Sequence, residues 1–502
     1  MSSQLAEGRG APGRPVFSAW IAGAARAPDG VATELVDPAT GREWATAYSE
    51  RGSVDPAVRS AHRAFTSSPW ADFTAAERAA LLRKLGVLIV AQAEEIGRLE
   101  SLANGKPRAA TLAEVRATAQ WYQFYANAIE FHDGHQRTLS RSADALITRE
   151  PLGVVAAITP FNAAFSLGSW KIAPALAMGN TVVLKPPHTA PASTLLLARL
   201  AIEAGFPPGV VNVVIGDADV GQALVAHELV AMVSFTGSTA AARQIGAVAL
   251  SHLKRFACEA GGKSAHIVFE DADIDSAVIA ATQGVFSAAG QTCVAGSRLL
   301  VQASIFESFL GRYLASVARL RVGDPAKEGT HVGPIASRQQ LERIRQLVAG
   351  AVDDGARVVA GGGPVAMPAP HADGFWFAPT VLTDVGPSAR IWREEVFGPV
   401  VLVHPFQTED EAIALANDSE YGLAAGFWTR DLGRVRRVAR RLQAGTVWVN
   451  TYRAIDVRVP FGGYKQSGIG RENGVEALAE FSQVKATVID HAPAVDPFRK
   501  ST

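Results

Sequence analysis

The sequence predicts an α/β fold made of two tandem α/β domains, each built on a parallel sheet covered by helices. Short β-branched runs at 153–159, 181–185, 210–215 and 231–235 alternate with helical stretches, the pattern of βα units and hence of a parallel sheet. A second series begins near His266 (His266-Ile-Val-Phe-Glu270) and continues through strand-like runs at 298–301, 377–382, 401–405, 424–428 and 446–449. The 502 residues, 48% hydrophobic and 19% charged, are enough for two or more domains with buried cores.

Taken in order, residues 1 to about 14 read as a flexible tail, with Gly, Pro and Arg but no apolar signal core. No later segment approaches the roughly 18 unbroken apolar residues of a membrane span. Residues 55–66 are expected to be helical, with Asp55 ahead of Pro56 at the start and Val58, Ala61 and Phe65 on one face. Thr74 and Glu77 form a Thr-x-x-Glu capping box; Leu81, Leu82, Leu85, Leu88, Ile89, Ile96 and Leu99 then recur at helical spacing until Asn104-Gly105. A long helix packed on a sheet is the expectation there. Gly361-Gly-Gly-Pro364 and the Pro-rich 367–373 read as one surface loop.

Lys plus Arg and Asp plus Glu balance at 48 each, with no long run of one sign, so nothing pulls the chain toward nucleic acid or an anionic membrane. A small molecule is the default partner. Cys258 and Cys293 are too few for a secreted disulfide scaffold, which favours a reducing compartment such as the cytoplasm.

Cys293 lies in Phe286-Ser-Ala-Ala-Gly-Gln-Thr-Cys293-Val-Ala-Gly-Ser-Arg298, a loop of small residues that leaves a sulfur approachable. Thirty-four residues before it, Cys258-Glu259-Ala-Gly-Gly-Lys-Ser264 sets a carboxylate beside a Gly-Gly pair at the start of the second series. A base on a mobile backbone suits a two-step reaction. A cysteine is more often a small buried hydrophobe than a nucleophile, and that is the reading for Cys258. Asp271, Asp273 and Asp275 lack the glycine of a calcium loop and read as helix caps, so no metal is expected. Serine-hydrolase, zinc-protease, Walker and Gly-x-Gly-x-x-Gly motifs are absent from the sequence.

These two segments resemble the cysteine and glutamate signatures of the aldehyde dehydrogenase superfamily, over about residues 30 to 490. Further matching segments are Thr159-Pro-Phe-Asn162, Leu184-Lys-Pro-Pro187, Gly205-Phe-Pro-Pro-Gly209, Phe235-Thr-Gly-Ser-Thr239, Glu394-Glu-Val-Phe-Gly-Pro399 and Pro460-Phe-Gly-Gly-Tyr-Lys465. The resemblance implies NAD(P)-dependent oxidation of an aldehyde to an acid. In it Cys293 is the nucleophile, Asn162 donates to the oxyanion, hydride leaves to the nicotinamide, and water activated by Glu259 hydrolyses the thioester. Lys171 and Glu472 match positions of a proton relay, with a structural ion pair as the equal alternative.

For the cofactor, the resemblance implies Thr159, Pro160, Phe161, Lys185, His188, Gly237, Ser238, Glu395 and Phe397, the dinucleotide lying at the carboxyl ends of the first, Rossmann-type sheet. His188 stands where NAD-preferring relatives carry a glutamate, so the expectation is NAD with NADP as an open alternative. Ala240 and Ala242 are smaller departures in the helix after Gly-Ser-Thr. The implied substrate channel comprises Phe165, Trp170, Thr292, Val294, Ile455 and Phe461. Arg453 and Arg458 read either as surface residues or as partners for the carboxylate of a semialdehyde.

The expected domains are dinucleotide-binding at 1–128 and 152–261 and catalytic at 262–466. An oligomerisation element and C-terminal tail at 129–151 and 467–502 imply a homodimer or homotetramer. The rival readings are a thiol-dependent esterase or acyltransferase, and a silent binder on the same fold.

Overall fold

The computed structural model describes residues 14–493 and residue 498. The tail expected before Arg14, and most of the last nine residues, lie outside the described residues.

The first sheet has eight strands, and its parallel centre is Arg255–Glu259, Val230–Thr236, Val154–Ile158, Thr181–Lys185 and Val211–Val213 in spatial order. From Val154–Ile158 the chain first adds strands on one side, then returns to add Val230–Thr236 and Arg255–Glu259 on the other. Strand order therefore reverses between Val154–Ile158 and Val230–Thr236, and the helices that follow these two strands diverge to leave a crevice at their carboxyl ends.

All four expected strands of this series are present, together with a fifth, Arg255–Glu259, on which Cys258 lies next to Glu259. Glu259 thus closes the first sheet rather than opening the second series. Gly468–Ile469 pairs antiparallel with this strand, Cys258 opposite Ile469 and Glu259 opposite Gly468. This return of the chain brings residues 460–473, expected to straddle a domain boundary, against the first sheet.

The second sheet has seven strands and is parallel except for its edge strand Arg357–Ala360. The run expected at 377–382 is strand only over Thr380–Thr383. The loop at 260–264 joins the two sheets, and Cys293 sits on the loop between the helix Ile274–Phe286 and the strand Arg298–Gln302.

The Thr74–Glu77 capping box forms in both directions, with Glu77 N–H donating to Thr74 Oγ1 and Thr74 N–H to Glu77 Oε2 at 2.7 Å. The helix it starts is interrupted at Gln92, giving Ala75–Ala91 and Ala93–Asn104, the second ended by left-handed Gly105. The first of these packs on the helices Arg108–Glu130, Ala164–Ala177 and Ala192–Ala204 instead of on a sheet. The latter two already cover that face, so it forms an outer layer. Leu82, Leu85 and Ile89 are fully buried in this contact, each contributing about 1.5–3 kcal/mol of hydrophobic stabilisation.

A separate three-stranded antiparallel sheet is formed by Ser482–Asp490, Ala143–Pro151 and His135–Thr138. Asp273 caps the helix Ile274–Phe286, its carboxylate accepting from Ser276 N–H, while Asp271 accepts from Thr429 and Arg434. Among the described residues no acidic or His/Cys cluster could hold a metal ion, and no helix is long and apolar enough to cross a membrane.

Candidate active site

Cys293 is presented by a loop whose shape explains its small residues. Ala288, Ala289 and Gly290 run consecutively in the left-handed region, with φ of 54°, 52° and 70°. A Cβ on Gly290 would lie 2.0 Å from the Gly398 carbonyl oxygen, so only glycine fits that contact. Gly261 and Gly262 serve the same end. A Cβ on Gly262 would lie 2.3 Å from the Cys293 carbonyl oxygen, and one on Gly261 2.7 Å from Glu395 Oε2. Neither has positive φ. The pair therefore permits close approach, of the Cys293 backbone at Gly262 and of the Glu395 carboxylate at Gly261.

Asn162 is delivered by the turn after Val154–Ile158. Its Nδ2 donates to the Gln291 carbonyl at 3.0 Å, leaving one N–H of the amide free beside the cysteine loop. Burial pushes the Cys293 thiol up to about 12, with Glu395 and Glu259 adding to the shift and Arg453 opposing it. The sulfur is therefore held as a thiol until a proton acceptor or a positive charge arrives.

Glu259 is 4% exposed and its Oε2 has no partner in the protein. Burial, reinforced by the neighbouring Glu472 carboxylate, pushes its carboxyl well above the usual range. A Cβ on Gly462 would lie 2.8 Å from Glu259 Oε1, so the Pro460-Phe-Gly-Gly segment makes room for this side chain. Fully buried Lys171 pairs with Glu472 and donates to Thr236 Oγ1 at 2.7 Å.

Two cavities meet at Cys293, sharing Asn162, Leu167 and Thr236. One follows the crevice of the first sheet and is lined by Pro160, Phe161, Gly237, Ser238, Glu395 and Phe397. The Phe161 and Phe397 rings meet edge to face at 5.6 Å, and Gln340 Nε2 holds Phe397 by its carbonyl at 2.9 Å. Glu395 Oε1 accepts from Gly262 N–H at 3.1 Å, and burial pushes its carboxyl up to about 7.

Ser238 Oγ is spent on capping the helix Thr239–Ser251. Thr159 Oγ1 is buried without a partner at the mouth of the switch point. Lys185 and His188 stand further along, outside that lining. Burial lowers the Lys185 ammonium to about 8, and His188 Nδ1 meets Asp217 Oδ1 at 2.5 Å. An orphaned hydroxyl, a helix N-terminus and backbone approached closely at glycine suit a dinucleotide.

The other cavity, of about 380 Å³, is lined by Trp170, Thr292, Val294, Ile455 and Phe461 as expected. Phe165 is not among its lining: it is fully buried in the core and packs no closer to the site than its neighbours Ser166 and Leu167 allow. On the helix Ala164–Ala177 the 3.6-residue period turns Phe165 inward and Ser166 and Trp170 outward to the cavity. Trp121, Lys106, Glu114 and Arg453 also line it and carried no motif, apart from Arg453. Of the two loop arginines, Arg458 is exposed and closed onto Asp456 at 2.6 Å.

The aldehyde dehydrogenase family model matches residues 26–487. The chain belongs to the aldehyde dehydrogenase family. A betaine aldehyde dehydrogenase of Brucella anthropi is 41% identical over 471 residues, covering 93% of this chain and 96% of the relative. Among aldehyde dehydrogenase crystal structures, a Staphylococcus aureus betaine aldehyde dehydrogenase in complex with NAD+ is 35% identical. It matches with a TM-score of 0.93, covering 96% of this chain and 97% of its own. The NAD+ complex of a Bacillus cereus aldehyde dehydrogenase is 40% identical, with a TM-score of 0.92 over 94% and 96% of the two chains. The protein is accordingly an oxidoreductase that acts on a small-molecule aldehyde with NAD(P), and NAD+ is the cofactor bound in these neighbours.

Proposed function

We propose that the aldehyde is oxidised to a carboxylic acid through a thioester on Cys293, because this sulfur lies where the two cavities join. The crevice side holds the cofactor, by Pro160, Phe161, Gly237, Ser238, Glu395 and Phe397, with Lys185 and His188 toward the ribose. Bound oxidised nicotinamide supplies the hydride acceptor and a positive charge beside the sulfur. The free N–H of Asn162 and the Cys293 backbone N–H face the oxygen of the attacked carbonyl and hold its negative charge. Glu259, buried and proton-seeking, accepts the proton of the water that attacks the thioester. The Lys171–Glu472 pair lies next to it as the route by which that proton leaves.

NAD is the preferred cofactor in this reading, since Asp217 stands beside His188 where a 2′-phosphate would enter. The exposed three-stranded sheet supports a homo-oligomer, and a free catalytic thiol is in keeping with a reducing compartment, the cytoplasm. The relatives are named for betaine aldehyde, which carries a quaternary ammonium; the Trp121 and Trp170 rings would suit such a cation, but Arg453 in the same cavity opposes it.

Absorbance at 340 nm with NAD or NADP and an aldehyde panel tests the assignment. Reduced cofactor must form with wild type and not with Cys293→Ala. Equal turnover by the two would remove Cys293 as the nucleophile, and ester hydrolysis with no cofactor reduced by any aldehyde would remove the oxidative step.

A further inference from the structure

The cavity leading away from Cys293 carries a guanidinium that the protein does not neutralise. Arg453 follows the strand Thr446–Val449, with its backbone in the left-handed region at φ 61°. Its side chain lines the cavity with Trp121, Trp170 and Phe461, near enough to feel both the Cys293 sulfur and Glu114. Among the described residues it has no hydrogen bond and no carboxylate at ion-pair distance.

The carboxylates of the cavity wall are engaged elsewhere. Glu114 accepts from Lys106 Nζ at 2.6 Å, Glu472 is paired with Lys171, and Glu259 is held toward its neutral form. An adjoining cavity shares Ala110, Ser287 and Ala288 with this one, and its titratable lining is Arg319 and His331. A tail extending from a carbon bonded to Cys293 therefore meets net positive charge. A partly desolvated cation without a partner gains from one, and a planar guanidinium such as that of half-buried Arg453 is completed best by a carboxylate bonded through both oxygens.

We propose that Arg453 recognises a carboxylate at the far end of the aldehyde, so that the favoured substrates are ω-carboxy aldehydes, the semialdehydes. This rests on the reading of Cys293 as the nucleophile at the inner end of the same cavity. The Trp121 and Trp170 rings, stacked on each other at 5.4 Å, then border the methylene chain as one aromatic wall. Arg458 has no part in it, being closed onto Asp456.

The test compares kcat and KM for succinic, glutaric and adipic semialdehydes against butanal, pentanal and hexanal in wild type, Arg453→Met, Arg453→Lys and Arg458→Met. For at least one chain length wild type is expected to favour the semialdehyde by about tenfold or more in kcat/KM. Arg453→Met loses that preference through KM while its alkanal oxidation persists, Arg453→Lys keeps part of it, and Arg458→Met behaves as wild type. A readout independent of turnover is thermal stabilisation of Cys293→Ala by succinate or glutarate, expected to vanish in Cys293→Ala/Arg453→Met.

Equal kcat/KM for semialdehyde and alkanal at every length in wild type overturns the proposal. So does an Arg453→Met variant whose kcat falls alike for all aldehydes, since that marks Arg453 as a support for the Cys293 thiolate. The Cys293 reading fails separately, if Cys293→Ala still reduces cofactor with alkanals while the dicarboxylate shift depends on Arg453.

Discussion

The Lys171 ammonium is bonded to Glu472 and to the Thr236 hydroxyl, and this leaves Glu259 beside a carboxylate without a cation of its own. Burial and the Glu472 charge both disfavour ionised Glu259. A base works in its deprotonated form, so thioester hydrolysis falls as pH drops through the raised value, at a pH above the ordinary carboxylate range. Glu472→Gln removes the negative neighbour and frees Lys171, which moves this acid limb to lower pH. Lys171→Met moves it higher and destabilises the fold by about 3–5 kcal/mol, because one charge of a buried pair is stranded. Single-turnover hydrolysis against pH, with urea unfolding, checks both; limbs unmoved in either variant would reduce the pair to a structural one.

Asn162 offers a sharper kinetic signature. Its amide spends one N–H on the Gln291 carbonyl, and in the proposed mechanism the other serves the oxyanion. Asn162→Ala is expected to lower kcat by about 10²–10³ with little change in substrate KM, since the oxyanion exists only along the reaction path. Rapid-mixing measurement of reduced cofactor separates this from slower hydrolysis. A raised KM with unchanged kcat would assign Asn162 to substrate binding instead.

The parts of this site that were legible in the sequence are those that need a special backbone. Gly290 beside Gly398 and Gly262 beside Cys293 are close approaches that admit no Cβ, so they write themselves into short motifs around the nucleophile and the base. The strand runs of both sheets were visible because buried parallel strands are continuous β-branched segments. Around Cys258 a strand was legible but its place in the first sheet was not, because Arg-Phe-Ala-Cys-Glu carries no such run and is ordered by pairing with Val230–Thr236 and Gly468–Ile469. The break at Gln92 has no sequence signal that we can identify. Cavity walls were the least legible: Trp121 and Lys106 come from distant helix and loop positions with no shared spacing. Phe165 was misplaced by one helical position relative to Ser166.

In the proposed reading cofactor choice is set at the edge of the crevice, where His188 Nδ1 meets Asp217 Oδ1 at 2.5 Å. Burial holds the imidazole below its usual value, so it is neutral at pH 7 and brings no charge to a 2′-phosphate, while Asp217 repels one. Asp217→Asn is expected to raise kcat/KM for NADP relative to NAD by about tenfold, through loss of a like charge. His188→Glu abolishes NADP use. In wild type the NADP-to-NAD ratio stays flat above neutral pH and climbs only at the acid end, as the imidazole gains its proton. A ratio that rises with pH, or an Asp217→Asn enzyme with unaltered selectivity, contradicts this account.

In the proposed assembly the interface is the strand Ser482–Asp490, an edge strand that pairs with Ala143–Pro151 on one side and with no strand among the described residues on the other. Val484 and Val488 are 57% and 62% exposed, and the period-2 alternation of a strand puts them on one face with Ala486. Opposite them in the register lie Arg149, Ile147 and Ala145, of which Ile147 adds a partly exposed apolar side chain to this face. An exposed apolar edge of this length invites pairing with another chain, and association covers both its free hydrogen-bonding groups and its valines. Val484→Lys/Val488→Lys is therefore expected to lower the mass seen by light scattering while the cysteine loop, far along the chain from these positions, still forms its thioester with an aldehyde and NAD. A wild type that is monomeric at micromolar concentration would show that this face is covered in some other way, whereas a double variant of unchanged mass would move the interface off the strand.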